Sequence, residues 1–401
     1  MKKTRFGLIA LLLAFFPLTG HAWNESDHLM MTRTALEDVA DDWNLQTPCE
    51  VRPLSSLLEK ISRLGPKLHE ASAWAHYLRV NPRTNFEALP PDLQGRTELS
   101  PLTILTLASI DPDDGRDQDL PYTSPDQKWF GSPKGSNSQA FRHIEKPPFL
   151  WRHPVSTFGF PFRALGEPTR RAEIYTQASL LAFSLEEPYW GWRLLGGALH
   201  YLEDLHQPYH AGQITPELLF RGLWSYLSWG RKNDGLMGTF AHLISNSHRF
   251  YESYVALPQG EDHGVKEASL MALRGKDYER LPLGPGTIQT LAVRIRDESN
   301  RVFPPLIRAV SQATTAALKG PYNFNSDARG GDNPSQFLQK GPGFEEVNRR
   351  IFQITRDRFE SAGKVIRSVI HQGIRAKTVN LSAKPEERLH QLDSLLYPTS
   401  S

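Results

Sequence analysis

Apolar residues recur at steps of three and four along most of the chain, which is the periodicity of an amphipathic helix. Between Asp27 and Trp43, for example, the apolar positions include Leu29, Ala35 and Val39. Sustained alternation of apolar and polar residues, which is typical of half-buried strands, is missing from the sequence. The pattern therefore predicts an all-α protein.

The same periodicity predicts where the main helices lie, and two prolines predict where one of them is broken. Because proline has no backbone N–H and clashes with the preceding turn, Pro304 and Pro305 are expected to interrupt their helix. We expect a single large multi-helix domain over residues 23–380 and a fraying tail over 381–401. The predicted helices cover 27–43, 53–64, 68–80, 169–184, 188–205, 287–318 and 344–376.

Two long stretches rich in proline, glycine and polar residues separate the predicted helices. They cover residues 111–154 and 320–343. A loop of this length in a compact protein is usually functional, or is held in place by something else, such as a metal. Cys49 is the only cysteine, so the chain has no internal disulfide and must be stabilised by its packed core and by any metal it binds.

The amino terminus has the three parts of a secretory signal peptide. Residues 1–5 contain three basic side chains, residues 7–18 are almost entirely apolar, and the small residues Gly20 and Ala22 suit a signal peptidase. The apolar part is too short to span a bilayer. We therefore expect residues 1–22 to be removed, and the mature protein to begin at Trp23 and to be periplasmic or secreted.

Charge and hydropathy narrow the range of partners. The chain has 46 lysines and arginines against 44 aspartates and glutamates, and three of the basic residues lie in the leader. The mature chain is therefore almost neutral, which gives no electrostatic basis for a stable complex with nucleic acid. No stretch after the leader is long and apolar enough to be a transmembrane segment. We expect a soluble exported monomer.

The clearest candidate chemistry is a metal site in the helix predicted at 188–205. His200 and Asp204 are four residues apart, so their side chains lie on one face of the helix, about one turn apart. Pro208 should end or kink the helix, and His210 follows immediately after that break. Imidazole and carboxylate groups are ligands that suit zinc.

Small residues and a further histidine in this helix add two expectations. Gly196, Gly197 and Ala198 should let another helix approach closely. His206 lies about 240° round the helix from His200. We therefore expect His206 to point away from the metal, either supporting the site or lying at the surface.

Two further groups offer ligands of the same kind. His248 and Glu252 repeat the four-residue spacing on another predicted helix. If the mature chain begins at Trp23, its free α-amino nitrogen and carbonyl oxygen could chelate a metal, with His28 as a further ligand. Each pair is a weak signal alone, but the combination predicts a cluster of metal ions.

These residues resemble the zinc-dependent bacterial phospholipases C, which hydrolyse phosphatidylcholine. That family shares its all-α fold with the single-strand-specific zinc nucleases of fungi and plants. The resemblance rests on three features. The first is a tryptophan at the start of the mature chain. The second is the pattern His-x3-Asp-x5-His, and the third is a later histidine followed four residues on by an acidic residue. In this chain those positions are Trp23, His28, His200, Asp204, His210, His248 and Glu252.

The resemblance implies three zinc ions, with Asp204 bridging two of them. It also implies an aspartate and a histidine between His28 and the central helix, for which Asp111 and His143 are the first choices. Asp113, Asp114, Asp117 and Asp119 remain alternatives to Asp111, and His153 remains an alternative to His143. The implied ligand sets are Trp23, His28 and Asp204; Asp111, His143, His200 and Asp204; and His210, His248 and Glu252.

The implied activity is hydrolysis of a phospholipid at a membrane surface, with phosphatidylcholine as the expected substrate. Water activated by the metal would release diacylglycerol and a phosphorylated head group, and Asp111 would orient or deprotonate that water. Glu252 favours a phospholipase, because the nucleases usually have aspartate there and also carry a Gly-Gly-Asn stretch that is missing after His210. A zinc nuclease remains the alternative activity, and a non-catalytic zinc-binding protein remains a third possibility.

The composition of the segment 216–232 bears on whether the protein acts at a membrane surface. It combines several aromatic residues, such as Trp224 and Trp229, with basic ones. Exposed aromatic side chains beside basic ones suit a membrane interface. The alternative is a core helix whose aromatic rings point inward.

Overall fold

A computed structural model shows that the protein is mostly helical, which confirms the predicted all-α class. The leader 1–22, Trp23, His153 and the segment 216–232 lie outside the residues that the structure describes. The described residues are 25–65, 72–80, 89–90, 93–118, 120, 139–147, 164–213, 246–252, 254–255, 263–313, 342–378 and 384–396.

Each predicted helix is present with shifted ends, and the described residues also form five helices that were not predicted and a short two-stranded sheet. Strands β1 (Cys49–Glu50) and β2 (Glu98–Leu99) pair in antiparallel register, with Cys49 opposite Leu99. Residues 246–252 are also helical. The other helices are α1 (Glu25–Glu37), α2 (Leu54–Arg63), α3 (Ala73–Val80), α4 (Pro101–Ala108), α5 (Gln139–His143), α6 (Pro168–Ser184), α7 (Pro188–His206), α8 (Pro208–Ala211), α9 (His263–Leu273), α10 (Thr287–Ala313), α11 (Pro342–Thr378) and α12 (Pro385–Leu396).

Helix α7 lies at the centre of the fold. Every residue from Tyr189 to His206 is buried, and the helix packs against α4, α6, α10 and α11. A helix that is covered on all sides can hold polar side chains only where they have partners. The histidines and acids on α7 are therefore held in fixed positions inside the protein.

Gly196 and Gly197 of α7 let neighbouring helices pack closely on two sides of it, as predicted. A Cβ on Gly196 would lie 2.6 Å from Cβ of Ala108 in α4. A Cβ on Gly197 would lie 2.8 Å from the ring of Tyr175 in α6. Because real Cβ atoms essentially never approach so closely, glycine lets α4 and α6 pack directly on the backbone of α7.

The predicted break at Pro304 and Pro305 is wrong. Helix α10 continues through both prolines to Ala313. On either side of them Phe303 and Leu306 are almost fully buried in a second hydrophobic core, which also contains residues of α8, α9 and α11. The packing of these apolar side chains holds the helix despite the backbone hydrogen bonds that the prolines cannot make.

The predicted fraying tail is also corrected, because residues 385–396 form the packed helix α12. Asp393 accepts hydrogen bonds from the backbone N–H of Trp74, at 3.2 Å, and from Oγ of Ser72, at 3.1 Å. Three leucines at helical spacing fill the inner face of α12 and are fully buried. They are Leu389, Leu392 and Leu396.

Among the described helices, none combines the length and apolar character needed to cross a bilayer. The predicted loop 111–154 contains one described helix, α5. This helix ends at His143, so it brings that side chain against α7, with which it packs.

Candidate metal centre

Three groups of histidine and carboxylate side chains come together inside the helical bundle. Within each group, one possible ligand atom from every residue lies within 4.8 Å of the others. The first group is His28, His200 and Asp204; the second is Asp113, His143 and His200; the third is His210, His248 and Glu252. The sequence predicted all of these residues as ligands except Asp113, which it gave as an alternative to Asp111.

The helices explain why residues from distant parts of the chain meet here. His200 and Asp204 lie one turn apart on α7, as their spacing predicts. Gln207 then adopts an extended conformation, and Pro208 begins the short helix α8, which carries His210. The change of direction at Gln207 turns His210 back toward Asp204, so the proline produces the kink expected from the sequence.

The second group has the spacing of ligands around one ion. Nδ1 of His143 lies 2.8 Å from Nε2 of His200 and 2.9 Å from Oδ2 of Asp204. Nε2 of His200 lies 3.3 Å from the same carboxylate oxygen. Oδ1 of Asp113 lies 3.7 Å and 3.8 Å from the facing nitrogens of His143 and His200. Two ligands of a tetrahedral zinc ion are about 3.3 Å apart, because each bond is about 2.0–2.1 Å long.

Asp204 links the second group to the first. Its Oδ2 faces His143 and His200, whereas its Oδ1 lies 3.7 Å from Nε2 of His28 and 3.6 Å from Nδ1 of His210. The rings of His28 and His200 stack with their centroids 4.1 Å apart. A carboxylate whose two oxygens face different ligand groups can bridge two metal ions.

The third group lies beside α8 and the helical residues 246–252. Nε2 of His248 is 2.7 Å from Oε1 of Glu252, one turn further along that helix. The rings of His210 and His248 have centroids 5.0 Å apart. The ring of Tyr209 stacks on His248 at 5.3 Å and holds its orientation. The Glu252 side chain is 14% exposed, whereas that of His248 is 1% exposed, so this group lies nearest to solvent.

Hydrogen bonds behind three of the histidines orient them toward the cluster. Nδ1 of His200 donates to the carbonyl oxygen of Ser109 at 2.7 Å, and Nδ1 of His210 donates to the carbonyl oxygen of His143 at 2.8 Å. Nδ1 of His28 lies 2.6 Å from Oε2 of Glu203. Such partners fix the tautomer and ring orientation of metal-binding histidines.

Buried atoms with no partner support the same interpretation. Among the described residues, Nε2 of His210 and Oδ1 of Asp204 have no hydrogen-bond partner although both atoms are buried. Burying such groups without a partner is costly. Metal ions held by the groups to which these two residues belong would give both atoms a partner, so the residues present fit a metal centre.

The protonation of the histidines suits metal binding. Burial holds the pKa of His143 and of His210 well below the usual range and lowers the pKa of His248 to about 3. These rings are therefore neutral, which is the form that binds a metal. Burial also acts to lower the pKa of His200, but Asp204 and Asp113 raise it to about 9. An ion bound there would therefore displace a proton from His200.

The structure corrects the prediction that Asp111 is a ligand of the second group and the residue that orients or deprotonates the water. Oδ2 of Asp111 accepts a hydrogen bond from Nε of Arg193 at 3.1 Å, and Oδ1 pairs with Arg116. Arg193 lies two turns before His200, so one face of α7 presents both side chains to the segment that follows α4. Asp111 is therefore paired with Arg193, whereas Asp113 faces His200.

Two further acids of the same segment are held by arginines. Asp117 is buried in ion pairs with Arg142 and Arg171, and Asp114 lies 3.3 Å from Arg116. Asp119 and His153 lie outside the described residues.

Glu203 and Lys146 lie beside the centre, although the sequence predicted no role for them. Glu203 lies three residues after His200 on α7, a helical spacing that was a usable signal. Lys146 donates to the carbonyl oxygen of Tyr209 at 2.6 Å, beside the third group. Burial lowers the pKa of Lys146 to about 7. No pattern in the sequence marked this lysine.

His206 points away from the cluster, as predicted, but it is buried and does not lie at the surface. Its Nδ1 donates to the carbonyl oxygen of Leu202 at 2.7 Å. Its Nε2 lies 3.2 Å from Oγ of Ser361 in α11. His206 therefore joins α7 to α11 on the side opposite the metal centre.

Comparison of the chain with models of known protein families, with curated proteins and with solved structures finds no match. The function is therefore inferred from the side chains of the centre.

Proposed function

We propose that this protein is an exported zinc-dependent phosphodiester hydrolase that acts as a phospholipase C. Its expected substrate is phosphatidylcholine, which it would cleave to diacylglycerol and a phosphorylated head group. The observation that carries this proposal is the position of Asp204, whose two oxygens face different histidine groups. A chain of linked metal groups is suited to phosphodiester cleavage, because paired ions can stabilise both the attacking and the leaving oxygen.

The ligand types favour catalysis over a purely structural metal. Structural zinc sites usually have four protein ligands, often cysteines. The groups described here consist of histidines and carboxylates, and Cys49 lies in β1, outside all three of them. Such sites suit a metal that keeps a position open for water or substrate.

The charge of the centre favours an anionic substrate. Three divalent ions would be neutralised only in part by the carboxylates of Asp113, Asp204 and Glu252. A buried centre with surplus positive charge stabilises the negative oxygens of a phosphodiester.

The chain's own residues would hold and guide the reactants. Bound zinc would supply Lewis-acid catalysis and make a bound water more acidic. Asp113 lies between the groups, with Oδ2 3.9 Å from Nε2 of His28 and Oδ1 facing His143. We assign to Asp113 the role that the sequence suggested for Asp111, which is to orient water or accept its proton. The water oxygen would bond to phosphorus, the bond from phosphorus to the glycerol oxygen would break, and that oxygen would take up a proton.

The test is a paired assay of the protein beginning at Trp23, with and without a chelator. One arm uses phosphatidylcholine vesicles and measures diacylglycerol and phosphocholine, and the other uses single-stranded DNA. Asp204→Asn should abolish the activity, because it removes a charged oxygen shared by the groups. Asp42→Asn is the matched control, since Asp42 is an exposed acid that pairs with Lys276 on the surface.

Chelator-sensitive release of diacylglycerol with intact DNA would support the phospholipase proposal. Cleavage of DNA with intact lipid would overturn it in favour of a zinc nuclease. Absence of hydrolysis in both arms, from protein that contains zinc, would overturn both activities and leave a non-catalytic zinc-binding protein.

A further inference from the structure

A buried carboxylate stands directly behind His28. Glu203 lies on α7 and is 1% exposed. Its Oε2 is 2.6 Å from Nδ1 of His28, and its Oε1 accepts a hydrogen bond from Oγ1 of Thr32 at 2.6 Å. His28 and Thr32 are four residues apart on α1, so they lie on the same face of that helix. Both oxygens of Glu203 are therefore directed at α1.

Glu203 is not placed as a metal ligand. The two nitrogens of an imidazole ring point in different directions, and Nε2 of His28 faces Asp204 at 3.7 Å. Glu203 lies on the other side of the ring, at Nδ1. Glu203 also belongs to none of the three candidate ligand groups. It therefore acts on the centre through His28.

Glu203 differs from the partners of the other oriented histidines. His200 and His210 are held by carbonyl oxygens of Ser109 and His143. Unlike those backbone groups, a carboxyl side chain behind an imidazole makes the ring a better ligand, and it can be changed by substitution. Because His200 and Asp204 are shared with neighbouring groups, His28 is the described ligand that belongs to the first group alone.

We infer that Glu203 is a positioning residue that holds His28 with Nδ1 protonated and Nε2 facing the cluster, and that it thereby sets the metal affinity of the first group. This inference rests on the metal centre of the proposed function, but not on the identity of its substrate. Thr32 fixes the carboxylate in place. The first group should therefore be selectively sensitive to the loss or displacement of the Glu203 side chain.

The test measures zinc binding in the protein beginning at Trp23. Glu203→Gln keeps the shape of the side chain but replaces one of its two oxygens by an NH2 group, and Glu203→Leu removes both hydrogen-bond acceptors. Each variant is dialysed against graded concentrations of a chelator, and the remaining zinc is measured. We expect one ion to be bound about 10- to 100-fold more weakly, which is the usual effect of losing such a partner, with the larger loss in Glu203→Leu. The remaining zinc should be released at the same chelator concentration as in the unmodified protein.

Ring-nitrogen NMR of protein labelled with ¹⁵N-histidine shows which site has changed. The signals of His28 are assigned by their loss in His28→Asn. They should change in both Glu203 variants while those of His248 stay the same. Thr32→Val is the matched control, because it removes the hydrogen bond from Thr32 to Glu203 and leaves His28 untouched. It should weaken binding less than Glu203→Leu does.

The outcomes separate this inference from the proposed function. Equal losses at all sites, or unchanged zinc binding in folded Glu203→Leu, would overturn the positioning role while leaving the metal centre intact. An unmodified protein that binds no zinc would overturn the metal centre itself, and this inference with it. A protein that binds zinc but hydrolyses neither substrate would still test Glu203, because the readout is metal affinity.

Discussion

Gly196 of α7 lies so close to Ala108 of α4 that a Cβ on the glycine would be 2.6 Å from Cβ of the alanine and 2.8 Å from the carbonyl oxygen of Leu105. Helix α4 ends at this contact, and the next residue, Ser109, holds Nδ1 of His200 through its carbonyl oxygen. The approach of two helices therefore places a hydrogen-bond acceptor behind a candidate metal ligand.

The first prediction is that Gly196→Ala weakens both folding and metal binding. The added methyl group would press α4 away from α7, at a cost of about 1–3 kcal/mol of unfolding free energy. The carbonyl oxygen of Ser109 would move with α4, and His200 would lose orientation. Denaturant unfolding and zinc titration measure the two effects. Gly343→Ala in α11 is the control, because a Cβ there would meet no described group beyond its own stretch of chain within 4 Å; it should leave zinc binding unchanged and should not destabilise the fold.

The second prediction separates Asp111 from Asp113. Asp111→Asn should leave zinc binding intact but lower the free energy of unfolding by on the order of 3 kcal/mol, because it breaks the buried ion pair with Arg193. Asp113→Asn should reduce zinc content, because the lost carboxylate faces His143 and His200. Zinc content after dialysis and urea unfolding of chelator-treated protein measure the two effects. Loss of zinc in Asp111→Asn with full zinc in Asp113→Asn would restore the assignment made from sequence.

The third prediction concerns acid stability and His206. Burial, helped by the charge of Arg358, lowers the pKa of His206 to about 3 from a usual value of 6.5. Between these pH values the unfolded chain binds a proton that the folded protein does not, so stability falls as the pH falls. The slope attributable to this residue is about 1.4 kcal/mol per pH unit below about pH 6.5.

His206→Gln removes this titration, so its unfolding free energy should depend less steeply on pH between about 6.5 and 4.5. Denaturant unfolding in the presence of a chelator, at several pH values, measures the slope without a contribution from bound metal. The exposed His76 provides the control variant His76→Gln, which should keep the slope of the unmodified protein. Equal slopes in the His206→Gln variant and the unmodified protein would contradict the prediction.

The fourth prediction concerns α12. Leu392 is fully buried, so Leu392→Ala should lower the free energy of unfolding by about 2–5 kcal/mol. Ser394→Ala, at an exposed position of the same helix, should have little effect. Thermal or denaturant unfolding measures both variants. A negligible effect of Leu392→Ala would mean that residues 385–396 behave as the tail expected from sequence.

The sequence by itself determined the helical class and most of the candidate ligands. Those results depend on local geometry, because residues four apart share a face of any helix. His200 with Asp204 and His248 with Glu252 are pairs of this kind, and Pro208 changes the chain direction wherever it stands. Each of these features can be recognised without knowing what packs nearby.

Only the tertiary structure decided which acid after α4 faces the centre and what stands behind each histidine. Asp111 and Asp113 are two residues apart in an irregular segment. Arg193 pairs with Asp111, although it lies 82 residues further along the chain. The pairing of Glu203 with His28 joins residues 175 positions apart. Periodicity carries no information about such contacts, because they depend on how the helices pack against one another.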